Sequence, residues 1–246
     1  RVALIEREYA LGGMATLGLI AIYLPLCDGM GNQLVSGIGE ELLKLSVRYA
    51  AEGPLPEAWL GDGGAEARRS ERYMAKFNPN LFALSLERLL RELGVTVLYG
   101  TAVCAVRREG RLLRELIVEN KSGRSAVAAA SFIDCSGDAD VCARAGVPTR
   151  LYSRGNGLAS WYYYSDGGAP RLKMFGLADV PAERRASGTG VEQSNVKVES
   201  LDAGYRFSGV DGYELSDAAQ HAHEKMFDDI LRCRASDGAY VPVTVS

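Results

Sequence analysis

Apolar and polar positions fall into two periods along this chain, and those periods lay out its elements. The opening run Val2-Ala3-Leu4-Ile5 is apolar throughout, the pattern of a strand covered on both faces in a parallel sheet, and Glu6-Arg7 ends it. Gly12 to Gly39 is glycine-rich and mostly uncharged. A helix is expected from Glu40 to about Ala51, carrying Leu42, Leu43, Leu45 and Val47, and it stops before Gly53-Pro54-Leu55-Pro56. Gly61 to Glu66 reads as a loop. Asn78-Pro79 opens the clearest helix, with Asn as N-cap and Pro in the first turn. Phe82, Leu86, Leu89, Leu90 and Leu93 recur along it at helical spacing, and Gly94 closes it.

Strand periodicity follows. Val95 to Tyr99, Thr101 to Val106, Leu112 to Val118 and Ala126 to Asp134 are separated by turn residues, and the last three form an expected antiparallel meander. Asp138 to Ala145, ended by Gly146, reads as one or two helical turns. Beyond Arg150, Trp161-Tyr162-Tyr163-Tyr164 is an aromatic strand, and the stretch to Gly212 carries short β-prone runs. Ser216 is expected to cap a long helix through Arg234, with Ala219, Ala222, Met226 and Ile230 on one side. Val241 to Ser246 is again strand-like.

Composition narrows the class. The 246 residues are 47% hydrophobic and 24% charged, a globular balance that disfavours disorder and coiled coil. A net charge of -3 gives no electrostatic reason to expect nucleic acid or an anionic membrane as partner. No apolar run is as long as a membrane span and no signal peptide is visible. Five scattered cysteines without a CxxC spacing point to reduced thiols in the cytoplasm and to no metal or cluster site. Cys135 reads as a small packing residue.

Two strand ends carry the chemistry. Glu6 places a carboxylate where dinucleotide-binding folds keep the acceptor for ribose hydroxyls, and Gly12-Gly13 permits close backbone approach. Ser136-Gly137-Asp138 follows an apolar run and precedes a helix, a place where backbone amides meet an anion. Ligands of open α/β sheets sit at strand carboxyl ends, so the ends at Ile5 and Ile133 are expected side by side around one crevice. The glycine fingerprint that precedes such an acid by roughly twenty residues would lie before Arg1. The expectation is therefore a fragment cut at both ends, lacking its first strand and phosphate-binding turn. A nicotinamide-dependent dehydrogenase would share the acidic acceptor but does not require the later turn. A cofactor-free structural or partner-binding relic is the reading from another class.

Beyond these local readings, Ala3-Leu4-Ile5-Glu6-Arg7 with Leu11-Gly12-Gly13-Met14-Ala15-Thr16 resembles bacterial FAD-dependent oxidoreductases whose flavin domain is glutathione-reductase-like. Ser36-Gly37-Ile38-Gly39-Glu40-Glu41 and Ile133-Asp134-Cys135-Ser136-Gly137-Asp138-Ala139-Asp140-Val141, followed by Ala145-Gly146-Val147-Pro148, extend the resemblance to about Pro148. The family usually has Ala-Thr-Gly-Asp where Cys135-Ser136-Gly137-Asp138 stands here. Relatives include flavoprotein subunits of heterodisulfide reductases.

The resemblance implies an α/β protein with a partial FAD/NAD(P)-binding Rossmann-like domain over 1–150 and an inserted antiparallel β-meander; the change of character at Arg150 marks 151–246 as a mixed α+β substrate or cap region. The resemblance also implies FAD as cofactor, with Glu6 on the adenosine ribose and Arg7 beside it. Gly12, Gly13, Met14, Ala15 and Thr16 would line the diphosphate and flavin side. Val103 would face adenine through its backbone, and Ser136, Gly137 and Asp138 would close over the dinucleotide. A small-molecule substrate and an electron-transfer partner are expected; no catalytic side chain is assigned. Tyr23 and Asp28 are candidates for the flavin ring's surroundings. Tyr162 to Tyr164 read as core, and His221 and His223 as surface residues on different helix faces.

Overall fold

The computed structural model describes residues 1–153, 155–166, 169–175, 196–199, 205–238 and 240–245. Two compact units result, Arg1–Thr149 and Arg150–Ser246. Predicted β-prone runs that fall on 167–168, 176–195 and 200–204, and the final Ser246, lie outside the described residues.

In the first unit the apolar opening forms β1 (Ala3–Ile5). A two-residue strand β2 (Ile22–Tyr23) precedes α1 (Ile38–Ala50), α2 (Glu57–Leu60) and α3 (Ala65–Ser70). Then come β3 (Ala75–Lys76), α4 (Pro79–Glu92) and β4 (Thr96–Leu98). β1 pairs in parallel with β4, Ala3 opposite Thr96 and Ile5 opposite Leu98. A parallel pair needs a crossover connection, and the helical segment between the two strands supplies it.

α4 begins as its sequence dictates. The Asn78 side chain accepts from the amides of Asn80 and Leu81, both at 3.1 Å, and Pro79 fills the first turn. Its inner face buries Phe82 with Phe77 and Ala50, and α4 packs on α1. A neighbouring cluster gathers Leu26, Cys27, Leu43, Trp59, Tyr73 and Ala75. The Trp59 and Tyr73 rings stack there at 5.1 Å, and the Trp59 indole donates to the Glu71 carbonyl. The Gly61 to Glu66 loop is shorter than expected, because Ala65 and Glu66 already belong to α3.

The antiparallel meander is β5 (Ala102–Glu109), β6 (Leu112–Asn120) and β7 (Gly123–Ala128), followed by α5 (Asp140–Arg144). One correction is needed. The strand expected over Ala126 to Asp134 lies earlier, because pairing resumes at once after the tight turn, with Asn120 opposite Gly123. Ala128 is the last residue paired, and the following small residues Ala129, Ala130 and Ser131 have weak strand preference. Ile133 is consequently 88% exposed rather than packed.

The second unit holds β8 (Asn156–Gly157), β9 (Ser160–Asp166), β10 (Ala169–Phe175), β11 (Val196–Glu199) and β12 (Arg206–Phe207), then α6 (Gly212–Ser236) and β13 (Val241–Val245). Its main sheet runs β11-β10-β9-β13, with β10 and β11 parallel and the other pairs antiparallel. Alternation along β9 turns Tyr162 and Tyr164 into the core against Ala218, Ala222 and Met226 of α6. Two expectations about α6 are corrected. Asp211, not Ser216, caps it, accepting from the amides of Tyr213 and Glu214, while the Ser216 hydroxyl donates to the Gly212 carbonyl inside the helix. The buried stripe contains Ala218 rather than Ala219, and it also carries Asp229. A four-residue step keeps Ala218, Ala222 and Met226 on one face.

Candidate functional site

Glu6 stands at the carboxyl end of the parallel pair. Its amide donates to the Leu98 carbonyl at 2.9 Å, and its carbonyl accepts from the Thr101 amide at 3.0 Å. Both backbone bonds fix where the side chain leaves the sheet. One carboxylate oxygen accepts from the Glu8 amide at 2.9 Å. A carboxylate has about four acceptor positions, so capacity for sugar hydroxyls remains. Arg7 is exposed and donates to Glu8.

Thr101 is buried, donating to the Tyr99 carbonyl and accepting from the Asn120 amide side chain, and so locks the chain that leads into Val103. Val103 pairs with Val118, and a register shift follows immediately, between Val103 and Ala105. The Tyr99 hydroxyl donates to Glu87 at 2.9 Å. Burial first, then that hydrogen bond and the charges of Glu87 and Glu6, push the phenol up to about 12. Glu6 is thus an electrostatic neighbour of Tyr99.

The glycine pair forms a turn of its own. Gly12 has φ 102° and a Cβ there would lie 2.5 Å from Thr16 Cγ2, so the close turn requires glycine. Thr16 is buried and donates to the Leu11 carbonyl at 2.6 Å, closing the turn from beneath. At Gly13 a Cβ would meet nothing within 4 Å, which leaves open backbone at the start of the short 3-10 turn Gly13–Ala15. Met14 is exposed beside it, whereas Ala15 packs toward Phe77 and Phe82.

The turn at 134–140 is organised by a residue that sequence reading did not single out. Asp134 accepts from the Ser136 hydroxyl at 2.7 Å, the Ser136 amide at 3.0 Å and the Cys142 amide at 2.9 Å. Burial opposes its ionisation, but these donors together with the Cys142 thiol outweigh it and hold the carboxyl well below the ordinary range. The Asp-x-Ser spacing is the local signal that could have revealed this Asx turn. Ser136 also accepts from the Asp140 amide, and the helix begins at Asp140, later than expected. Ser136, Gly137 and Asp138 are all exposed, as is Cys135. Cys142 has its thiol pushed up, chiefly by its hydrogen bond to Asp134.

The structure therefore brings Glu6, Tyr99 and Thr101 together at the head of β5, and α5 packs on that same strand. The strand expected to end at Ile133 does not form, so among the described residues β1 is paired with β4 and not with 129–134. Among the described residues no hydrogen bond joins the 134–140 turn to Glu6 or to 12–16.

Other candidates have local roles. Tyr23 packs on Phe77 and Phe82, and burial pushes its phenol up. Asp28 accepts from the Met30 and Asn32 amides and the Asn32 side chain, which hold its carboxyl below the usual range and close its own loop. His223 is exposed, but His221 is half-buried, stacked on Tyr205 at 4.9 Å. No group of three His, Cys, Asp or Glu residues suited to a metal occurs among the described residues, and no described helix is long and apolar enough to cross a membrane.

A parallel strand pair joined through a helical crossover and followed by an antiparallel meander defines the first unit as an α/β structure. The chain belongs to the FAD dependent oxidoreductase family, which matches residues 1–236, and the cofactor of that family is FAD. Among solved structures it is similar to BexE, studied for oxidation during BE-7585A biosynthesis, at 17% identity and TM-score 0.40 over 67% of this chain and 32% of that one. It is similar to CabE, an aromatic hydroxylase from angucycline biosynthesis, at 16% identity and TM-score 0.38 over 66% of this chain and 31% of that one. Thermovibrio ammonificans THI4 is 17% identical with TM-score 0.39, over 91% of this chain and 78% of that one. The chain thus spans about a third of the length of BexE and of CabE. No curated protein matches it.

Proposed function

We propose that residues 1–150 hold FAD through Glu6 and the Gly12–Thr16 turn, in an oxidoreductase that passes hydride or electrons between the flavin and a small molecule. The observation that carries this reading is the placement of Glu6. Its backbone is bonded to Leu98 and Thr101, so a carboxylate with free acceptor capacity stands at the carboxyl end of a parallel pair. Gly13 offers open backbone for a close approach, and the family supplies the cofactor's identity. The residues present fit the adenosine side of the group: an acceptor for ribose hydroxyls, with open backbone at Gly13 nearby in sequence.

In this reading Glu6 holds the ribose, with Arg7 alongside. Gly12, Gly13, Met14, Ala15 and Thr16 line the diphosphate and flavin side, and Val103 meets adenine through its backbone. Ser136, Gly137 and Asp138 close over the dinucleotide. When bound, FAD supplies the redox chemistry, and the protein binds and orients it. Residues 151–246 act as the substrate or cap region, and a separate carrier accepts or delivers electrons. Five cysteines, all unpaired in the structure, support a reducing, cytoplasmic setting.

Fluorescence titration of the apoprotein with FAD tests the assignment. Glu6→Ala should weaken binding by about 1.5–3 kcal/mol, the range for hydrogen bonds to a charged group. Unchanged affinity would remove Glu6 from the site.

A further inference from the structure

Tyr9 is 79% exposed, yet its position is closely defined. One side of its ring stacks on Tyr99, centroids 6.3 Å apart and planes 27° from parallel. Its hydroxyl end lies over Gly100, where a Cβ would come within 2.4 Å of the phenol oxygen. Gly100 has φ 56°, a left-handed conformation that favours glycine, and the Tyr9 ring end occupies the space a Cβ would take. Tyr99 is itself anchored, its hydroxyl donating to Glu87 on α4. The Gly100 amide points to the Glu8 carbonyl at 3.5 Å, and the Thr101 amide donates to the Glu6 carbonyl, so residues 6–9 are laid along 99–101.

A core role does not account for a large aromatic ring left this open. Its place three residues after Glu6, and against the residue that feels the Glu6 charge, gives it a ligand-facing sense. The chemistry that suits a carboxylate for sugar hydroxyls with a flat aromatic face close by is that of a nucleoside.

We propose that Tyr9, backed by Tyr99 and seated on Gly100, is the stacking surface for the adenine base of FAD. This rests on the FAD assignment above. An aromatic ring stacks on any base through its π face, and one such contact is commonly worth about tenfold or more in affinity. Tyr9 thereby adds affinity and preference for a base-bearing flavin, while Glu6 serves the sugar.

The test is FAD titration of wild type, Tyr9→Leu, Tyr9→Phe and Glu6→Ala, with thermal melts to verify folding. Leu fills the same place without a flat face; Phe keeps the face without the hydroxyl. Tyr9→Leu should weaken FAD binding roughly tenfold and Tyr9→Phe should leave it unchanged. In wild type the adenine protons of bound FAD should show upfield ring-current shifts that Phe retains and Leu abolishes. Equal affinity for wild type and Tyr9→Leu, with Glu6→Ala weakened, overturns the stacking role and leaves the FAD site standing. Equal losses in Leu and Phe overturn it too, since the hydroxyl would then be responsible. A wild-type protein that takes up no FAD overturns both readings.

Discussion

The ammonium of Lys173 on β10 meets the carboxylate of Asp229 on α6 at 2.6 Å, with side chains 6% and 2% exposed. Around this pair the second unit builds a polar core. The Tyr162 hydroxyl donates to the other Asp229 oxygen at 2.6 Å, and the Tyr162 and Tyr240 hydroxyls share a further hydrogen bond of the same length. Arg232, mostly exposed, adds a contact to Asp229 from the next helical turn. A buried carboxylate survives only with such partners, since desolvation costs several kcal/mol per ion.

Removing one partner should therefore be costly. Lys173→Met leaves Asp229 with Tyr162 and Arg232 but no buried cation, and unfolding stability of this unit should drop by about 3–5 kcal/mol. Urea denaturation followed by near-UV circular dichroism measures it. Lys173→Met combined with Asp229→Leu should recover most of the loss, because no buried uncompensated charge then remains and Arg232 is mostly exposed. A double variant as unstable as the single one would show that the network itself supplies the stability.

The same network sets pH limits. Burial opposes the charge on Asp229, but the bonds from Lys173, Tyr162 and Arg232 prevail and lower its pKa. A depressed carboxylate stabilises the fold above the unfolded value of about 3.9 and loses that contribution as pH falls toward the folded value. Tyr162 behaves oppositely: burial, then the bonds to Asp229 and Tyr240, raise its phenol. Its contribution is complete below about pH 10 and disappears as pH rises from there toward the folded value. Melting temperature should accordingly decline at both extremes. In Asp229→Asn the acid limb should become shallower.

At the start of α4, Asn78→Ala removes the acceptor of the Asn80 and Leu81 amides. The expected cost is about 1 kcal/mol, with Asn78→Asp recovering it. Thermal melts of the two variants would show whether the cap acts locally in this way.

Asp134 gives a prediction for the later turn. Asp134→Ala removes the acceptor of the Ser136 and Cys142 amides, so both should exchange with deuterium faster than in wild type. The Cys142 thiol should also react faster with an alkylating reagent at neutral pH, because the hydrogen bond that raises its pKa is gone. Unchanged exchange at Ser136 would mean that the turn holds without its carboxylate.

The sequence by itself determined what short-range physics controls. The cap at Asn78, Pro79 in the first turn and the Leu/Phe spacing specified α4, and apolar runs between tight turns specified β5 and β6. The acid ending the first strand was legible for the same reason, as its position follows from β1 alone. Tertiary structure decided the rest. β1 pairs with a strand beyond α4, and the small residues after Ala128 did not extend the third meander strand to Ile133. Tyr9 lies against Tyr99 and Gly100, both distant in sequence. Asp229 looks like a solvated helix residue until Lys173, 56 positions away, is brought against it. Local sequence fixes dihedrals and caps within a few residues, whereas the burial of a charge or the pairing of a strand depends on a partner that only folding supplies.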